Sequence, residues 1–117
     1  MATERDDLLQ YVSVRLDGKN YSYWSYVMRN FLKGKKMWGY VSGTYMIPKN
    51  IEEGDAILID TWEANNAKII TWINNSVEHL IGTQLVKYET TKEVLDHLQR
   101  FFTQSNFATH YQLENDI

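Results

Sequence analysis

Histidines and closely spaced carboxylates are the side chains of this sequence that could bind a metal ion or transfer protons. The three histidines, His79, His97 and His110, lie far apart, and no His-x-x-x-His or His-Glu-x-x-His motif joins two of them. The sequence contains no cysteine, which excludes thiolate metal sites, zinc knuckles and disulfides. We therefore predict no metal site.

Catalytic groups are equally unsupported by the residue pattern. The carboxylate pairs Asp60/Glu63 and Glu89/Glu93 lie at predicted helix starts, where negative charge stabilises the helix dipole without any catalytic role. No Gly-x-Ser-x-Gly elbow, dinucleotide-binding glycine motif or phosphate-binding loop is present. We predict a protein that is not an enzyme, with no catalytic residue and no cofactor.

A cluster of basic residues could contact RNA. Lys33, Lys35 and Lys36 follow Arg29 closely, and Trp38 and several tyrosines nearby could stack on bases. The formal net charge of −3 opposes this interpretation, because nucleic-acid binding normally depends on a basic excess. The same lysines would also complement the carboxyl end of a helix dipole, so both interpretations stay open.

The sequence is rich in aromatic residues, with four Trp, eight Tyr and four Phe. Most of them recur at helical spacing and are predicted to lie in the core. Tyr23, Tyr26 and Tyr40 fall outside the apolar stripe, and tyrosine is common at protein interfaces. Scattered exposed aromatic residues also occur without a function. These tyrosines are therefore either part of a protein interface or exposed without a function, and both interpretations stay open.

The positions of apolar residues predict an all-α fold, a compact bundle of about five to six helices preceded by a short extended segment. Alternating apolar and polar residues place the extended segment at 11–16. Spacing of three and four residues predicts helices over 21–33, 37–41 (a single turn), 55–75, 77–86 (weaker), 91–102 and 106–117. Residues 45–54, with the only proline, are predicted to form an exposed loop.

Local signals indicate where some of these helices begin and end. Asn20 is a predicted N-cap for the helix at 21–33, and Gly34 could supply a left-handed turn at its end. Thr90 and Glu93 have the spacing of a capping box, in which each side chain bonds the backbone amide of the other residue. We expect that box to open the helix at 91–102.

Asn65 and Asn66 interrupt the apolar face of the predicted helix at 55–75. They must lie at its edge or form hydrogen bonds inside it, because an unpaired buried amide costs about 1–3 kcal/mol. The residues predicted to form the core are Trp24, Met28, Phe31, Trp62, Ile69, Ile73, Val94, Leu98 and Phe101.

The amino-terminal residues 1–10 are acidic and polar, unlike a secretory signal. No run of residues approaches the roughly 18 apolar positions of a membrane-spanning helix. We predict a soluble, cytoplasmic protein with no membrane partner.

Two blocks in the first half of the sequence resemble the Gag polyprotein of copia-type LTR retrotransposons, particularly those abundant in plants. Residues 16–25, LDGKNYSYWS, are similar to the family's L-x-G-x-N-Y-x-x-W opening. Residues 38–44, WGYVSGT, are similar to its (L/W)-G-(F/Y)-(I/V)-x-G-T pattern.

The resemblance continues in the second half. Trp62 and residues 65–77 resemble the family's W-x-x-x-(N/D) and S-W-I-x-N-S-V stretches. Residues 90–98 resemble T-A-x-E-x-W-x-x-L, and residues 111–113 resemble I-Y-Q-L. Because the blocks keep the family's order and spacing, together they are more specific than any one alone.

The resemblance implies a capsid N-terminal-domain-like module that self-associates into a virus-like shell around the element's RNA, which other regions would bind. We predict an N-terminal arm at 1–15 and a helical Gag capsid-like domain at 16–117, with further capsid helices expected beyond it. For contacts between copies, we predict Tyr23, Tyr26 and Arg29 on the outer face of the helix at 21–33. Such contacts would make the isolated domain a weak homo-oligomer.

Two alternatives stay open. A Gag-derived host adaptor would bind a protein or peptide in a groove, which would show as an open apolar cleft with exposed Trp38 or Tyr40. Direct RNA binding would instead use Lys33, Lys35 and Lys36. The sequence does not determine which of these surfaces is used.

Overall fold

The computed structural model describes residues 12–47 and 55–103. Those residues form five helices: α1 (Tyr21–Gly34), α2 (Gly39–Ser42), α3 (Asp55–Asn75), α4 (His79–Gly82) and α5 (Thr91–Thr103). Within these two ranges there is no β-strand, only an isolated parallel bridge between Leu16 and Val77. The predicted all-α bundle is therefore confirmed.

The core lies where α1, α3 and α5 meet. Six of the nine predicted core residues are buried: Trp24, Met28, Ile69, Ile73, Val94 and Leu98. Leu32, Trp72 and Phe102 are buried with them.

The other three predicted core residues lie at its edge. Phe31 and Phe101 are half-buried and pack against the core from outside, while the adjacent Leu32 and Phe102 fill it. Trp62 is also half-buried, and its indole Nε1 donates to the carbonyl of Tyr45 at 2.8 Å. The prediction was wrong here because a helical stripe drawn from spacing alone is wider than the face that another helix covers.

The predicted extended segment lies across the core, and Leu16 anchors it. The Leu16 amide donates to the Ser76 carbonyl at 2.7 Å, and the Glu78 amide donates to the Leu16 carbonyl at 2.9 Å. The Leu16 side chain is fully buried. The segment that leads into α1 is thereby fixed to the segment that follows α3.

Two predictions about the ends of α1 were wrong. Asn20 is the N-cap residue, but its side chain does not bond the first turn of α1. Its Oδ1 accepts from the Asp17 amide at 3.1 Å and its Nδ2 donates to the Arg15 carbonyl at 2.9 Å, because the side chain closes the turn before the helix.

At the other end of α1, Gly34 stays helical and Lys36 takes the left-handed conformation, with a φ of 62°. The Met37 amide donates to the Leu32 carbonyl at 2.8 Å and the Lys36 amide to the Lys33 carbonyl at 3.0 Å. This is the pattern of a Schellman motif, in which the left-handed residue comes two positions after the last helical one.

The capping box before α5 is confirmed. The Glu93 amide donates to Thr90 Oγ1 at 3.1 Å, and the Thr90 amide donates to Glu93 Oε1 at 3.1 Å. The prediction for the two asparagines is also confirmed. Asn66 is buried and hydrogen-bonded, and Asn65 lies at the edge, donating to the Tyr40 hydroxyl at 2.9 Å.

The weak helix predicted at 77–86 is shorter in the structure. Only His79–Gly82 is helical, and turns follow it. Ile81 packs against the core and Leu85 is buried, whereas Leu80 and Val86 are 76% and 83% exposed. α2 ends at Ser42, and Gly43 after it has a φ of 93°, a left-handed conformation that glycine adopts without steric cost.

Several predictions lie outside the described residues: the first eleven residues of the arm at 1–15, most of the loop at 45–54, and the last helix at 106–117. The boundary between an arm and a domain at residue 15 stays a prediction. No helix among the residues that the structure describes is long and apolar enough to cross a membrane.

Candidate self-association surface

The outer face of α1 is fixed by the residues on its opposite face. Trp24, Met28 and Leu32 recur every four residues and are almost completely buried. The Trp24 indole also donates to the Ser76 carbonyl at 3.0 Å and lies 3.2 Å from Ser76 Oγ. With one face held by packing and by these hydrogen bonds, the other face must point outward.

That outward face carries two exposed tyrosines. Tyr23 is 61% exposed and Tyr26 is 56% exposed. Their ring centroids are 6.5 Å apart and the rings are nearly parallel, at 23°. Arg29, one helical turn beyond Tyr26, is exposed as well. Two rigid rings beside a guanidinium form a surface that can bury apolar area and donate hydrogen bonds at once.

Two of the three candidate RNA-contact lysines lie over aromatic rings. The Lys33 ammonium lies 5.9 Å from the Trp38 ring centre, and the Lys35 ammonium lies 5.4 Å from the ring centres of both Phe31 and Trp72. Lys36 is exposed. Two of the three ammonium groups are thus directed towards aromatic rings on different sides of α1, in cation–π contacts.

A cleft of about 210 Å³ lies between α1, α2 and α5. Trp24, Met28, Trp38, Val41 and Leu95 give it an apolar lining, and Arg29 and Asp96 also line it.

Two aromatic residues relate differently to this cleft. Tyr21 also lines it; burial raises the pKa of Tyr21, and the negative charge of Asp96 raises it further. Tyr40 is not part of the lining, since its ring packs on Tyr45 and Trp62 at 5.4 and 5.9 Å.

The two histidines that the structure describes, His79 and His97, lie in different surroundings. His79 is exposed at the start of α4, and His110 lies outside the described residues. His97 Nδ1 lies 3.0 Å from the Tyr88 hydroxyl, while Nε2 is buried with no hydrogen-bond partner among residues 12–47 and 55–103. Burial lowers the pKa of His97, and the nearby positive charges of Lys87 and Arg100 lower it further. Over 12–47 and 55–103, no group of three or more histidines and carboxylates could hold a metal ion.

Sequence reasoning missed several exposed apolar side chains. Leu80 and Val86 lie in the weak helix predicted at 77–86, which the structure shortens, and Ile57 is 72% exposed near the start of α3. The exposure of Ile57 could have been predicted from helical periodicity. Ile57 lies about 100° away from Leu58 around the helix and therefore outside the apolar stripe that continues to Trp62 and Ile69.

Comparison with known proteins gives one match. Residues 3–49, less than half of the chain, match the family described as Gag-polypeptide of LTR copia-type. The matched range includes the blocks at 16–25 and 38–44 and the tyrosines of α1. No curated protein and no solved structure matches the chain significantly. The family match confirms the resemblance indicated by the blocks at 16–25 and 38–44, and the blocks at 62–77, 90–98 and 111–113 lie outside the matched range.

Proposed function

We propose, from the match of residues 3–49 to the copia-type Gag family, that the chain is a structural, non-catalytic Gag capsid-like domain. Its copies associate in the cytoplasm into the shell of a virus-like particle. The observation that carries the proposal is the exposed, stacked pair Tyr23–Tyr26 beside Arg29, within the matched range.

The tyrosine pair is suited to a weak, repeated contact. An aromatic side chain can bury about 150–250 Å², so two such rings on each copy supply only part of the roughly 1,000 Å² of a stable interface. A contact of this size leaves the isolated domain in reversible association. In a shell, each copy makes several such contacts, and their effect multiplies.

The charge distribution favours RNA binding by other regions and not by this chain. The chain has a formal net charge of −3, and the ammonium groups of Lys33 and Lys35 lie over aromatic rings. We therefore assign binding of the element's RNA to regions outside this chain.

Electron microscopy of the concentrated chain, alone and within its complete reading frame, tests the proposal. Wild-type protein should form particles, and the double variant Tyr23→Ser/Tyr26→Ser should lose them while keeping its helical circular dichroism. The control variant Leu80→Ser/Val86→Ser removes two even more exposed apolar side chains elsewhere and should still assemble. Wild-type protein that forms no particle in either setting contradicts the proposal.

A second candidate function is an adaptor that binds an apolar peptide or protein segment. The cleft between α1, α2 and α5 favours it, because an apolar lining with Arg29 and Asp96 at hand can accept a side chain and orient its backbone. Trp24 and Trp38 line the cleft, so peptide binding should change tryptophan fluorescence. A saturable change with a short leucine- or phenylalanine-containing peptide, in protein that forms discrete complexes and no particles, would favour this function.

A further inference from the structure

The first half of α3 extends beyond the core. Asn66, Ile69, Trp72 and Ile73 are buried, and all four lie in the second half of the helix. From Ala56 to Ala64, no residue is buried. Trp62 packs on Tyr40 and donates to the Tyr45 carbonyl, Ile59 is half-buried, and the other side chains of this stretch are exposed.

One stripe along α3 is exposed over almost its whole length. Ile57, Thr61, Ala64 and Lys68 recur at spacings of four, three and four residues, and all are exposed. Thr61 donates its hydroxyl to the Ile57 carbonyl at 2.9 Å, and Thr71 donates to the Ala67 carbonyl at 2.9 Å. These threonines can therefore be covered without leaving an unsatisfied donor.

An open pocket lies at the carboxyl end of this stripe. It has a volume of about 470 Å³ between α1 and α3, with Phe31, Met37 and Trp72 as its apolar lining. Lys35 and Lys68 also line it, together with Asn30 and Gly34, and no acidic residue is among the lining residues. The pocket would accept an apolar side chain that has a carboxylate beside it.

Such a side chain is present on the same helix. Ile57 is 72% exposed and Asp60 follows it, whereas Lys68 is the only basic residue of α3. Asp60 and Lys68 lie four residues before and after Ala64, about 12 Å apart along the axis, too far to pair within one helix. A helix dipole accounts for this order of charges, but not for an exposed isoleucine.

We propose that two copies of this chain pair through antiparallel α3 helices, with the two-fold axis near Ala64. This arrangement places Asp60 of each copy level with Lys68 of the other, and Ile57 level with Thr71, beside the apolar pocket. The small side chain of Ala64 lets the helices approach closely where they cross.

The occupant is a second copy because the charge pattern is self-complementary. In an antiparallel pair, Asp60 of each copy faces Lys68 of the other, which gives two ion pairs. A different partner would not need this arrangement of charges. The inference rests on the proposed function, which needs more than one contact surface. A single two-fold contact closes at a dimer, and a shell forms only if a second surface, here the tyrosine face of α1, links the dimers.

Sedimentation equilibrium of the chain over a wide concentration range tests the pairing. Asp60→Lys and Lys68→Glu should each weaken dimerisation at least tenfold, because each brings two pairs of like charges together. An equimolar mixture of the two variants should dimerise like wild type, since the mixed dimer contains one native Asp60–Lys68 pair and one pair with reversed sign. The double variant Asp60→Lys/Lys68→Glu should also recover wild-type dimerisation.

The exposed residues Glu78 and Lys87 supply matched controls. Glu78→Lys and Lys87→Glu make the same charge changes away from α3 and should leave the dimer constant within twofold. The pairing is overturned if wild-type chain stays monomeric throughout, if single variants dimerise like wild type, or if their mixture does not recover.

The same variants distinguish pairing through α3 from assembly of the shell. Particles that form equally well with Asp60→Lys overturn the pairing and leave the shell in place. Dimers that follow the charge pattern, in protein that never forms particles, support the pairing and overturn the shell.

Discussion

Asn66 on α3 and Thr91 on α5 form a buried hydrogen-bonded pair that joins the two helices. Asn66 Oδ1 accepts from the Thr91 amide at 2.8 Å and from the Thr91 hydroxyl at 3.0 Å. Asn66 Nδ2 donates to the Glu89 carbonyl at 2.7 Å. One side chain thus satisfies an otherwise unpaired amide in the first turn of α5 and holds the preceding loop.

Replacing Asn66 with alanine should destabilise the fold strongly. The change leaves the buried Thr91 amide and the Glu89 carbonyl without their partners, at about 1–3 kcal/mol for each group that stays unsatisfied. Urea denaturation should show the midpoint falling. Asn65→Ala is the control: it removes one part-buried hydrogen bond to Tyr40 and should cost less. Equal effects of the two changes would contradict this role for Asn66.

Replacing Lys36 with glycine should stabilise the protein. Lys36 has a φ of 62°, and the left-handed conformation costs a residue with a side chain about 1–2 kcal/mol. We expect a gain of about 1 kcal/mol in the free energy of unfolding, measured by thermal or urea denaturation. Lys33→Gly makes the same change inside α1 and should instead destabilise by about 0.5–1 kcal/mol. A loss of stability in Lys36→Gly would contradict the left-handed assignment.

The ends of α1 and the start of α5 show what sequence can and cannot predict. The capping box at Thr90 and Glu93 was predictable because all its atoms lie within four residues. The role of Asn20 was not, since its side chain could bond either the helix ahead or the turn behind. Gly34 was the expected left-handed residue because glycine adopts that conformation at no steric cost, yet packing of Leu32 and Met37 places the turn at Lys36.

The candidate surfaces were predictable to different degrees. Tyr23 and Tyr26 lie off the apolar stripe, so their exposure followed from periodicity. The exposure of the first half of α3 was not predictable, because Leu58 and Trp62 continue the apolar stripe in the sequence. In the structure, the core ends near Asn66. Only long-range contacts, such as those of Leu16 and Trp24 with Ser76, determine where the core stops.

Stability should fall as the pH drops below about 6.5. Burial and the charges of Lys87 and Arg100 lower the pKa of His97 in the folded state below the ordinary 6.5. Between those two pKa values the unfolded chain takes up the proton first, so stability is fully present above about 6.5 and is lost below it. Urea denaturation across the range from pH 8 to about 5 should show this slope, which His97→Gln should remove.

A second group titrates lower and can be told apart. Hydrogen bonds from Thr90, first from its side chain and then from its backbone, lower the pKa of Glu93, so its contribution is lost only as the pH falls below about 4.5. Glu93→Gln should therefore leave the slope near pH 6 unchanged. A slope there that persists in His97→Gln would contradict the assignment to His97.

Any binding of RNA by this chain should be weak and should lack the steep salt dependence of a phosphate-binding domain. Lys33 and Lys35 are directed towards aromatic rings, and the formal net charge is −3. Fluorescence anisotropy with a single-stranded RNA should show weak binding at low salt. The triple variant Lys33→Ala/Lys35→Ala/Lys36→Ala should bind as wild type does.

The outcome of that titration decides between two uses of the basic end of α1. A protein that neutralises several phosphates loses affinity linearly on a logarithmic salt scale, with a slope of about −0.7 per phosphate for single strands. A steep slope that flattens in the triple variant would assign RNA contact to these lysines, and the shell would then hold its RNA directly. The variant Lys19→Ala/Lys87→Ala/Lys92→Ala removes three exposed charges elsewhere and controls for net charge alone.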